Sequence, residues 1–185
     1  MDRILPVIAL FALVFVCATL ALGLSLGDVS NPKDTTTQRW ATVHRLSGVA
    51  AALVVLLVDS IVVTYFVGTS RWCKEVVETY DLDRLYIART NKLKRRTFPL
   101  AVSSMLTMVV VVALGGAADP GASMRLEPIA GVAWSRVHLF GALLGVSYVA
   151  LGFYLMWQNV WENGRVLADV VQRVAEIRRQ RGLEG

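Results

Sequence analysis

The chain has very little with which to hold a metal or close a disulfide. Among 185 residues there are two histidines, His44 and His138, and two cysteines, Cys17 and Cys73. The cysteines form neither a Cys-x-x-Cys pair nor a c-type haem attachment motif. Cys17 falls in the middle of an apolar run and Cys73 in a charged stretch, so the two do not pair. Charge is scarce as well. Asp, Glu, Lys and Arg make up 18% of the chain, against about 25% in an ordinary soluble domain. No internal repeat and no low-complexity tract stands out.

The missing charge is missing in blocks. Residues 4–27, 97–118 and 137–161 contain no Asp, Glu, Lys or Arg, and residues 46–70 contain only Asp59. Each block reaches the roughly 20 residues needed to cross a hydrocarbon core about 30 Å thick. A segment in lipid must satisfy its own backbone hydrogen bonds, so runs this long and unbroken cross as helices. The expectation is an all-α integral-membrane four-helix bundle with spans at about 4–26, 40–67, 98–118 and 132–161. Those spans form one domain, 1–161, followed by a tail, 162–185. The first block exceeds the apolar core of about 7–15 residues in a secretion signal. It also ends without a clear small-x-small cleavage site, and it reads as a retained helix. Phe98-Pro99 marks the start of the third span, with proline in the first turn where its missing N–H is harmless. Asp119-Pro120-Gly121 marks its end.

Basic residues set the orientation. Arg3 contributes one, the 71–96 segment eight and the tail five, which puts fourteen on one side. Lys33, Arg39, Arg45, Arg125 and Arg136 are the five on the other. Both termini and the 71–96 loop are therefore expected in the cytoplasm, in a multi-pass protein of the inner (cytoplasmic) membrane. The net charge of +5 is mostly this topology signal. It also suits anionic lipid and gives no reason to invoke nucleic acid.

The tail repeats Val166, Leu167, Val170, Val171, Val174 and Ile177 at helical spacing, with charged residues between them. It reads as a cytoplasmic amphipathic C-terminal helix. It is expected to pack on the 71–96 loop or lie on the bilayer surface; docking to a partner subunit is the alternative.

The two histidines are the candidate site. Each lies about one turn into its span, in the second and fourth helices, which run parallel in a four-span protein. Both imidazoles therefore come to similar depth near the outer face, a geometry that suits one haem b held by two axial imidazoles. Gly141 and Gly145 lie within about 60° of the His138 direction, and Gly48 within about 40° of His44, at 3.6 residues per turn. Small residues on that face let a flat macrocycle approach the backbone. Arg45 and Arg136 flank the histidines and suit haem propionates. The competing reading is structural: Gly141-x-x-x-Gly145 is also an ordinary helix-packing motif, and interfacial His and Arg can simply hydrogen-bond. A zinc or iron site completed by Asp28, Asp119 or Glu127 ranks lower, because no metal-ligand spacing supports it.

On these two residues the chain resembles the four-helix b-type cytochromes, especially cytochrome b of respiratory complexes. In that family the second and fourth helices supply histidine pairs to stacked haems. The resemblance implies His44 and His138 as haem-iron ligands. It stops there: about four turns further in, where the family has its second pair, this chain has Val58, Asp59 and Gly152. It implies one haem, near the outer face, passing electrons to redox partner subunits or quinone.

Asp59 is the one charged residue inside a span and is expected to point inward. It reads either as a proton or quinone contact or as a carboxylate bonded to nearby serines or arginines. The leading expectation is a membrane cytochrome, a subunit of a larger redox complex. The alternatives are a non-redox scaffold or anchor with structural histidines, and a small transporter using Asp59.

Overall fold

The computed structural model describes residues 1, 3–121, 127–128 and 131–182. Among these residues it is all-α, with four helices: α1 Ile4–Leu24, α2 Thr35–Tyr80, α3 Leu85–Ala118 and α4 Trp134–Gln180. All four are long and apolar enough to cross a membrane. Apolar side chains cover their outward faces too: Leu10, Phe11 and Val14 on α1, Leu53 and Leu57 on α2, Leu106 and Val109 on α3 and Leu144 on α4 are exposed. A helix that is apolar all round belongs in an apolar surrounding.

The inward faces follow the helical period. Leu5, Ala9, Ala12 and Val16 of α1 meet Val55, Val58, Val62 and Phe66 of α2 in one core, with Ala101 and Met108 of α3 and Val149, Phe153, Met156 and Val160 of α4. Helix α3 packs along both α2 and α4, and α1 along α2. Helices α2 and α4 also meet across the middle, whereas among the described residues the backbones of α1 and α3 do not come close. The diagonal pair therefore carries both histidines.

Three of the helices outrun the fourth. Helix α1 is 21 residues, about 32 Å at about 1.5 Å per residue. Helices α2 and α4 have 46 and 47 residues and continue well past the start of α1 at the end rich in Lys and Arg. There Cys73, Val77 and Leu82 close around Val170, with Leu167, Val174 and Ile177 packed against them. The expected extension of the second helix through Trp72–Tyr80 is thus part of α2. Asp34 fixes its start by accepting the N–H of Thr37 at 3.0 Å. Asp81 ends it in the left-handed conformation, with φ at 51°.

Two boundaries differ from the sequence reading. Helix α3 begins at Leu85 rather than at Phe98, and Pro99 lies inside it. Proline cannot donate to the carbonyl of Arg95; packing between α2 and α4 holds the helix together across that gap. The tail is not a separate helix either: residues 162–180 are the uninterrupted end of α4. Its apolar stripe has partners on α2 and α3, and those partners make one continuous helix favourable.

Candidate functional site

His44 on α2 and His138 on α4 face each other, with ring centroids 6.3 Å apart and planes at 69°. Each ring rests on a glycine of the neighbouring helix. A β-carbon at Gly23 of α1 would lie 2.6 Å from Cε1 of His44, and one at Gly115 of α3 would lie 3.1 Å from Cε1 of His138. Without side chains there, each imidazole slides over the helix toward the carbonyl one turn back.

The Nδ1 of His44 donates to the carbonyl oxygen of Thr19 at 3.1 Å. A carbonyl can only accept, so Nδ1 carries a proton, and in the neutral ring the lone pair is on Nε2. His138 has the equivalent neighbour in the Val111 carbonyl, but its Nδ1 is buried without closing a hydrogen bond. Thr19 precedes Gly23 by four residues, and Val111 precedes Gly115 by four. The two halves of the bundle thus build the same arrangement twice.

The sequence carries that duplication. Ala21-Leu22-Gly23 and Trp40-x-x-Val43-His44 in the first half match Ala113-Leu114-Gly115 and Trp134-x-x-Val137-His138 in the second. The reading that no internal repeat stands out is corrected here: the motif is short and split across two helices, so a search for long repeats passes over it. The repeat also pairs Gly23 with Gly115.

The other expected site residues are distributed as follows. Gly141 and Gly145 face α3, where added β-carbons would meet Leu114 Cδ1 at 2.6 Å and Val111 Cγ2 at 2.7 Å. They set the closeness of α4 to α3 along a side-opening cleft of about 470 Å³ that also contains Ser103 and Tyr148. A β-carbon at Gly48 would meet Thr19 Cγ2 of α1 at 3.9 Å. Arg45 binds Asp119 at 2.6 Å, which ties α2 to the end of α3. Burial alone would raise the Asp119 carboxyl. The Arg45 hydrogen bond and charge and the Gly121 N–H outweigh burial and hold it below its ordinary value. Arg136 is exposed, and Arg125 lies outside the described residues.

Asp28 is occupied by a local turn, accepting the Ser30 N–H at 3.0 Å. The Glu127 carbonyl takes the indole N–H of Trp134. Among the described residues, no three of His, Cys, Asp or Glu come together as metal ligands.

Asp59 is fully buried, and among the described residues neither of its carboxylate oxygens closes a hydrogen bond of good geometry. Ser104 of α3 is a polar neighbour of the carboxyl. Asp59 lies fifteen residues from His44 along α2, about 22 Å at 1.5 Å per residue. The two do not share a site. No family model, curated protein or solved structure matches this chain.

Proposed function

We infer that the chain is a membrane cytochrome that binds one haem b between His44 and His138 and transfers electrons at that end of the bundle. The opposition of the two imidazoles carries the reading. Imidazoles whose ring centres lie 6.3 Å apart could hold one metal ion between them.

The donor set fits the same group. Two imidazoles alone leave a zinc ion short of its usual four ligands. Haem iron brings four equatorial nitrogens of its own and needs only the two axial ones. The Thr19 carbonyl orients His44 as carbonyls orient ligating histidines generally, leaving Nε2 directed away as a lone pair. Gly23 and Gly115 seat the imidazoles themselves, while Leu114 and Val111 occupy the space beside Gly141 and Gly145 that was expected to admit the macrocycle.

Bound haem would supply one-electron redox chemistry, and two protein ligands leave no iron position for substrate. This favours electron transfer over catalysis. The basic-residue asymmetry supports an inner-membrane orientation with the histidines at the outer face and the three-helix extension in the cytoplasm. A single site at one face needs redox partner subunits or quinone to complete a path.

The test is an absorption spectrum of protein purified from haem-replete cells. A Soret band, with an α band on dithionite reduction, is expected; both disappear in His44→Ala and in His138→Ala. A colourless protein overturns the proposal.

A further inference from the structure

At the basic end, two of the three helices pair their charges and the third does not. Helix α2 pairs Arg71 with Glu75 and Lys74 with Glu78, and α4 pairs Arg173 with Glu176. Helix α3 has no Asp or Glu between Leu85 and Ala118, yet it carries Arg89, Lys92, Lys94, Arg95 and Arg96. Among the described residues, none of these five makes an ion pair. The rule that sets orientation asks for basic residues on this side. It does not ask for them unpaired on one helix.

Lys92, Arg95 and Arg96 are exposed and spaced i, i+3 and i+4, so they share a face, where like charges repel. With the short side chain of Ala88 and the amide of Asn91 they line a shallow recess. Three cations around one recess, with no carboxylate among them, suit an anion. Guanidinium and ammonium groups are the usual partners of phosphate.

The same face then turns apolar. Continuing at helical spacing from Lys92 and Arg96 come Pro99, Ser103, Leu106, Val110 and Leu114. The last four line the side-opening cleft beside α4. The cleft begins seven residues beyond Arg96, about 10 Å at 1.5 Å per residue. That is within the half-thickness of a hydrocarbon core about 30 Å deep. The hydroxyls of the cleft are already engaged: Ser103 and Tyr148 bond each other at 2.6 Å, and Thr107 donates to the Ser103 carbonyl. What the cleft offers outward is methyl and methylene surface, which suits a hydrocarbon chain better than a polar ring.

We propose that this face of α3 binds an anionic phospholipid of the leaflet at the basic end, its phosphate at Lys92, Arg95 and Arg96 and one acyl chain along the α3–α4 cleft. A free phosphate would use the recess alone, and a neutral lipid the cleft alone. The inference rests on reading the four helices as membrane spans and does not depend on haem.

Native mass spectrometry of the full chain in detergent, titrated with dioleoylphosphatidylglycerol or dioleoylphosphatidylcholine, tests this. The anionic lipid is expected to bind more tightly, and Lys92→Gln, Arg95→Gln and Arg96→Gln should each weaken it about fivefold. Arg71→Gln, Lys74→Gln and Arg173→Gln remove the same charge from the paired helices and should leave it unchanged. Leu106→Trp, which fills the cleft from an exposed position, should weaken both lipids. Millimolar inorganic phosphate should not displace the anionic lipid. Equal binding of the two lipids, equal losses in the two sets of charge variants, binding unaffected by Leu106→Trp, or displacement by phosphate each overturns the proposal. Release of the chain from membranes by alkaline carbonate would instead overturn the membrane reading beneath it.

Discussion

A β-carbon on Gly23 would sit 2.6 Å from Cε1 of His44, closer than any real side chain approaches. Gly115 stands in the same relation to His138, but at 3.1 Å. The histidines thus depend on two glycines of other helices.

Gly23→Ala should therefore displace the His44 ring from the Thr19 carbonyl. Loss of an orienting partner typically costs about 10- to 100-fold in metal affinity. Gly115→Ala should cost less, because a few tenths of an ångström relieves its contact. Haem titration of the two purified apoproteins compares them; equal affinities would contradict the packing described.

Gly145→Ala should destabilise the bundle more than Gly141→Ala, although the Gly141 contact is the shorter. Its neighbour is the far end of Leu114, which can rotate away. Gly145 meets a methyl of Val111, which is stiff at χ1, and the Val111 backbone lies beside His138. Thermal unfolding in detergent should rank the variants in that order.

The Arg45–Asp119 pair joins α2 to the end of α3, with Arg45 43% and Asp119 18% exposed. A partly exposed pair is worth up to about 1 kcal/mol, and Asp119→Asn should cost about that. The Asp119 carboxyl is held below its ordinary value. Its contribution is thus complete above the unfolded value of about 3.9 and is lost as pH falls through the lower, folded value. Unfolding measured from pH 7 downward should show the wild type and Asp119→Asn converging only in that acidic window.

Cys73 reports on the three-helix extension. It is fully buried, and burial pushes its thiol up, only partly offset by a hydrogen bond with Thr90. Maleimide should label it slowly, since the thiolate is the nucleophile. Val170→Ala removes a fully buried side chain beside it and should cost about 1–3 kcal/mol. Faster labelling of Cys73 with an unchanged absorption spectrum is the expected result.

The histidine pair was legible because it needs only depth. Four apolar runs fix where each helix enters, and counting residues from there brings His44 and His138 level. The glycines were harder to place. Periodicity puts Gly141 and Gly145 on one side of α4, but it does not say which helix fills that side. Gly23 and Gly115 lie at the same end of helices without histidines, so their contact with the rings appears only when α1 and α3 are set beside α2 and α4. The repeated Ala-Leu-Gly and Trp-x-x-Val-His segments were the available trace of that pairing.

The amino-acid sequence by itself determines four apolar helices, one charge among them and two histidines at one level, because hydropathy and helical rise act locally along the chain. The tertiary structure decides the rest. It carries α3 unbroken past Pro99 and α4 through to Gln180, because packing partners offset a lost hydrogen bond and cover an amphipathic stripe. It seats each imidazole over a neighbour's glycine. It also leaves Asp59 buried beside Ser104, because burial depends on which helices close around a position.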